Sequence, residues 1–182
     1  MAAFASTTEL QNWLQLSSID TNAATLAVNV ASSAIRSFCG WEITELTVAA
    51  EVMDGTGGRS LWLPTLRLTA VASVVENGNT LTVVTDYDWT KYGRLIRAGC
   101  WPRTARSVTI TYTHGYATVP DVVKGMCLML ASRLYNNPEA LKSQSETWGP
   151  FAESASFADG SGPGLSVQEM EILGPFKLEH VG

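Results

Sequence analysis

Apolar residues repeat every three to four positions near both ends of the chain and every second position in its middle, so the pattern predicts helices flanking a β-region. Ser6-Thr7-Thr8-Glu9 fits a capping box, in which the serine hydroxyl accepts from the Glu9 amide and the Glu9 carboxylate reaches back. A short helix follows, with Leu10, Trp13 and Leu14 on one face. After a break at 17–20, Asp20 is a good N-cap for a second helix that runs to about Phe38. Along it Leu26, Val30, Ala34 and Phe38 recur every four residues, joined by Ala27, Ala31 and Ile35. This alanine-rich stripe predicts the core face and close approach of another helix, and Gly40 is the expected C-cap.

From Trp41 the period changes to two. Leu46, Val48, Ala50 and Val52 are expected on one side of a strand, with Thr47, Ala49 and Glu51 opposite. Turn residues cluster at 54–58, a short strand at 61–63 ends at Pro64, and Asn77-Gly78 joins strands at 70–76 and 80–85. Asn-Gly is a strong hairpin signal because both residues tolerate positive φ. Residues 93–97 and 108–113 read as further strands, giving an antiparallel region of five to seven strands over 43–116. Pro120 is expected at the first position of a helix reaching Tyr135, with Val122 or Val123, Met126, Cys127, Leu130 and Leu134 as its apolar face. Asn136-Asn137-Pro138 stops it. Residues 143–164 hold no Leu, Ile or Val and read as a flexible segment, before a second capping box, Ser166-Val167-Gln168-Glu169, opens a short final helix. The fold class expected is α+β. A helical core of two long helices and a short N-terminal one (1–42 and 118–142) carries an inserted antiparallel β-lobe (43–117) and an extended arm with a short helix (143–182).

Composition sharpens this. Of 182 residues only 16% are charged, against 46% hydrophobic, where about 25% charged is usual. A charge-poor surface rich in Thr and Ala suits contact with other subunits, because a charge taken out of water is costly unless paired. The net charge is −5, which excludes a basic binder that works by neutralising phosphates. Residues 139–182 hold seven acids and two bases, while 1–138 hold ten of each, so an acidic tail extends from a neutral body. Cys39, Cys100 and Cys127 form no C-x-x-C pair, and Cys39 and Cys127 fall in apolar helical patterns as small buried hydrophobes. The N-terminus lacks the basic flank and apolar run of a signal peptide. The most apolar stretch, 122–131, is too short to cross a membrane.

Catalytic chemistry has few carriers. No H-E-x-x-H, G-x-S-x-G or P-loop motif occurs, and Gly55-Thr56-Gly57-Gly58 joins strands rather than opening a phosphate-holding helix. No catalytic, cofactor or metal site is expected. His114 reads as a structural hydrogen-bonder, and an enzyme would need it to converge with Asp86 and Asp88. Lys91, Arg94, Arg97, Arg103 and Arg106 form a basic stretch interleaved with Trp89, Tyr92 and Trp101. Stacking on single-stranded nucleic acid is one use for it. Attraction to the acidic tail of a neighbouring copy is the use favoured. In the tail, Trp148, Phe151 and Phe157 can fold back as a satellite cluster on the core or anchor a partner; anchoring is the reading favoured, and Trp148, Pro150, Phe151, Phe157, Leu165 and Ile172 are the candidate anchors.

Several of these pieces stand in a familiar order. TTELQNWL (7–14) leads into SSAIRSFCGW (32–41), a β-insert with LWLP (61–64), VTITYTHGYATVP (108–120), LASRLYNNP (130–138) and SETWGPF (145–151). This order, over residues 7–173, resembles the head–tail connector, or adaptor, proteins of long-tailed double-stranded DNA phages, especially those of actinobacterial hosts. The resemblance implies a virion protein without enzymatic activity. It implies a ring of about twelve copies, closed by a head-to-tail interface. The ring would sit under the portal, above a stopper or tail-completion protein, with duplex DNA passing through. A β-rich module that binds a receptor or carbohydrate is the rival reading, and it needs Trp62, Trp89 and Trp101 on one platform.

Overall fold

The computed structural model describes residues 2–137, 143–148, 151–156 and 164–178. The chain divides into two units, one from residues 1–39 and 119–175, the other from 40–118 and 176–182.

The first unit holds the helices together with one two-stranded hairpin. Helix α1 (Thr7–Trp13) carries the expected capping box at Ser6 and Glu9. Helix α2 (Thr21–Cys39) is capped by the Asp20 carboxylate, which accepts from the Asn22 and Ala23 amides. Helix α3 (Asp121–Asn136) starts one residue later than expected, with Pro120 as its N-cap. Helices α2 and α3 pack on each other and α1 on both. Their shared core is Leu10, Ala27, Ala31, Ile35, Val123, Cys127 and Leu130, all buried. The expected stripe on α2 is corrected here. Ala27, Ala31 and Ile35 face the core, joined by Ala24 and Val28, whereas Leu26 is 66% exposed and Val30 38%. Small side chains won the inner face because they let α2 and α3 approach closely. On α3, similarly, Val123 is buried and Val122 exposed.

Helix α4 (Val167–Leu173) opens on the second capping box and continues as a single 3-10 turn, Gly174–Phe176. It docks on α3 through Leu173, fully buried, and Glu169, 7% exposed. Both Glu169 oxygens accept from Arg133 Nη2, at 2.7 and 2.9 Å, and Oε2 also takes the Ser166 amide at 2.8 Å.

Among the described residues the second unit contains seven strands, β1 (Leu46–Met53), β2 (Ser60–Trp62), β3 (Leu68–Glu76), β4 (Asn79–Leu81), β5 (Tyr87–Trp89), β6 (Arg94–Arg97) and β7 (Val108–His114). They form an antiparallel four-stranded sheet in the order β1-β7-β3-β4 and a three-stranded sheet β2-β6-β5. Val74, Val108, Ile110 and Tyr112 from the first sheet meet Leu61, Tyr87 and Leu95 from the second, with Trp101 between them in one core. The hairpin at Asn77-Gly78 forms as expected, both residues at positive φ. Strand β4 is shorter than the expected 80–85. The strict alternation expected along β1 is broken by a bulge between Val48 and Glu51, where Ala50 adopts φ 53°. The extra residue turns Glu51 inward, where it accepts from the Tyr112 hydroxyl at 2.6 Å, and turns Val52 outward at 45% exposure.

Candidate assembly interface

The five basic residues do not form one strip. Arg97 on β6 pairs with Glu76 and lies over the Trp101 ring at 5.6 Å, so its charge is neutralised inside its own unit. Arg94 donates from Nε and Nη2 to Ser60 Oγ, at 3.0 and 2.7 Å, and covers Trp62. Lys91 is exposed beside the Tyr92 ring. Arg103 and Arg106 stand exposed in the loop before β7, where the Arg106 amide donates to Asp54 at 2.7 Å. Three of the five, Lys91, Arg103 and Arg106, therefore present their side chains to solvent.

Residues expected as a flexible arm are strands, β8 (Ser143–Trp148) and β9 (Phe151–Ser156), paired antiparallel with Trp148 opposite Phe151. Neither run contains Pro or Gly, which would interrupt a strand. Pro150 and Phe157 lie outside the described residues. Leu165 is half-buried and Ile172 is 46% exposed on α4. Burial opposes the charge on Glu169, but the Ser166 amide and the Arg133 guanidinium outweigh it and hold the carboxyl below its ordinary range.

The residues that the two rival readings require do not come together. Trp101 is 1% exposed in the core, Trp89 is half-buried and Trp62 is 42% exposed, so the three indoles share no platform. Asp86 caps the Thr82 amide at 2.7 Å, and Asp88 accepts from the Trp89 amide. These two aspartates line an open cleft of about 390 Å³ with Arg59 and Arg97, and His114 is not among its lining residues. His114 is buried beside the Tyr112 and Trp41 rings, 5.4 and 6.1 Å between centroids. That burial lowers its pKa, against the opposing pull of Glu42 and Glu51. Among the described residues no group of three or more His, Cys, Asp or Glu could hold a metal ion. No described helix is long and apolar enough to cross a membrane.

What sequence reasoning missed is a pair of uncharged surfaces. Helix α2 carries one charged residue, Arg36, in nineteen, so its outer side presents only Thr, Asn, Ala, Leu, Val and Ser. Between its Ala23, Leu26, Ala27 and Val30 and the Leu134 and Tyr135 of α3 lies a groove of about 230 Å³. On the β1-β7-β3 sheet, Thr109, Thr111 and Thr113 alternate with the inward Val108, Ile110, Tyr112 and His114. Their outward neighbours in register are Thr47 and Val52 on β1 and Ala70, Ser73 and Val75 on β3, none charged. The signal was present in the sequence, as a nineteen-residue helix with a single charge and a run of alternate threonines.

The fold is shared with proteins of solved gene transfer agent particles. A protein in the neck of a native gene transfer agent (GTA) particle, computed with C12 symmetry, aligns with TM-score 0.59 and 16% identity, covering 96% of this chain and 89% of that one. One from the neck of the empty particle, computed with C6 symmetry, aligns with TM-score 0.58 and 17% identity over 100% and 94%. A chain of the native gene transfer agent virion aligns with TM-score 0.56 and 15% identity over 100% and 94%. At these identities the likeness is one of fold. No curated protein matches the sequence. The family model of the head completion protein covers residues 3–177, which is nearly the whole sequence and includes the helices, the sheets and the α4 clasp. The chain therefore belongs to the head completion protein family.

Proposed function

We propose that this head completion protein is the head-to-tail adaptor of a phage particle. It forms a ring below the portal, joins the capsid to the stopper or tail, and leaves a channel for genomic DNA. As a member of its family it is a structural protein of the virion, at the head–tail junction. The observation that carries the adaptor reading is the family match over residues 3–177 on a fold shared with a protein of a C12-symmetric neck. A ring of about twelve copies fits that symmetry, and a closed ring needs two different complementary surfaces on each copy. The portal is proposed to receive residues 143–173, with Trp148, Phe151 and Ile172 as anchors. Lys91, Arg103 and Arg106 are left free by the fold to meet the acidic tail of a neighbour, whereas Arg94 bonds within its own sheet and Arg97 pairs with Glu76 of the other sheet. A net charge of −5 keeps the lumen from trapping the passing duplex. No catalytic role is assigned. Removing the gene should leave DNA-filled heads and separate tails, and supplying the chain in trans should join them. Purified chain should form rings on the portal in negative stain. Joined particles made without the chain would refute the reading.

A further inference from the structure

We infer that the uncharged outer face of α2 packs against the uncharged β1-β7-β3 face of the next copy in the ring, an inference that rests on the ring reading above. A surface helix ordinarily sets charged and polar residues opposite its core stripe, whereas α2 keeps a second apolar line there, Leu26 and Val30, among uncharged neighbours. In α2 only one side is covered within its own unit, by α3 and α1, while Leu26 stands 66% exposed over the groove it shares with Val30, Leu134 and Tyr135. The occupant is a second copy because of charge. A partner of different chemistry gains specificity and steering from opposite charges, and this face offers none. Interfaces between identical subunits are the more apolar class. The chain also carries a matching surface, the threonine and alanine face of β7 and its neighbours, which can cover α2 without stranding a charge. The dimensions agree. Nineteen helical residues extend about 28 Å, and the seven residues of β7 extend about 24 Å. The two surfaces differ, as a head-to-tail contact demands.

The test uses full-length chain carrying Cys100→Ser, since Cys39 and Cys127 are buried, mixed with the portal of its own phage. Leu26→Glu and Val30→Glu should each lower ring yield at least tenfold, with the circular dichroism and melting of the free chain unchanged. Ala70→Glu on the sheet face should do the same. Under mild oxidation, Leu26→Cys and Ala70→Cys should give a covalent dimer only when the two variants are mixed. Rings at wild-type yield from the glutamate variants would overturn the inference, as would self-cross-linking of Leu26→Cys, which means a two-fold contact. Cross-linking of Leu26→Cys to portal would overturn it by naming another occupant. A wild-type chain that forms no ring sinks the ring reading itself. A wild-type ring indifferent to the glutamates sinks only this interface.

Discussion

Replacing Arg133 by Met should release α4 without unfolding the helices beneath it. Glu169 is the most buried carboxylate partner of the chain's described ion pairs, its side chain 9% exposed against 23% for Arg133. Arg133 reaches both of its oxygens, at 2.7 and 2.9 Å. The methionine keeps the aliphatic stem and its packing but removes the donors, so the Glu169 carboxylate keeps the Ser166 amide of its capping box, in which the Ser166 hydroxyl accepts from the Glu169 amide. Hydrogen bonds to a charged group contribute about 1.5–3 kcal/mol each, and stranding one member of a fully buried pair costs about 3–5 kcal/mol. With Arg133 about a quarter exposed, water compensates in part, and about 2–3 kcal/mol is the reasoned loss. A seven-residue helix has no stability of its own to offset this. Hydrogen exchange followed by mass spectrometry should therefore show peptides over 166–173 exchanging about thirtyfold faster or more, while α2 and α3 keep their protection. A double-mutant cycle with Glu169→Gln should give a coupling of about 2 kcal/mol. Unchanged protection of α4 in Arg133→Met, or a coupling below about 0.5 kcal/mol, would refute the claim that this pair, rather than Leu173 alone, holds the helix down.

Gly115→Ala should prevent stable folding of the β-unit: at φ 98° the new Cβ would lie 2.3 Å from the Thr44 carbonyl oxygen, a loss of about 3 kcal/mol or more readable by denaturant unfolding. Ala50→Gly should stabilise by up to about 1 kcal/mol, since φ 53° strains an alanine and not a glycine, and an unchanged or lower midpoint would count against the bulge geometry. Stability should fall on acidification in two windows, followed by melting against pH. Below pH 6.5 the unfolded chain takes up a proton that buried His114 resists, and below pH 4.5 the Glu169 contribution disappears as its lowered native pKa is crossed. Of the three cysteines, only Cys100 should react with a thiol reagent in the native state, because Cys39 and Cys127 are buried and burial pushes both thiols up, Cys39 to about 11.

Features decided within a few residues were legible in the sequence: two capping boxes, the Asp20 cap and the Asn77-Gly78 hairpin each follow from local hydrogen bonding or positive φ. Features decided by competition between distant surfaces were not. The five basic residues are contiguous in sequence, yet Arg97 is neutralised by Glu76 from another sheet, a pairing no local pattern announces. The bulge at Ala50 reversed the inside and outside of β1 beyond it, because one inserted residue shifts a period of two. Helix α2 is the instructive failure. Read as one stripe, the Leu26–Val30 and Ala27–Ala31–Ile35 lines both point to the core, but a spacing of four residues on a helix of 3.6 per turn drifts around the axis. Only the alanine line fits against α3, and Leu26 and Val30 are left outside. The rejected line was not made polar in compensation. Its neighbours are Asn22, Thr25, Asn29 and Ser33, exposed and uncharged, although a surface helix gains solubility from charge at such positions at almost no cost in fold. A sequence that leaves a second apolar line on a helix, and withholds charge from everything around it, is specifying a second packing partner as well as a core.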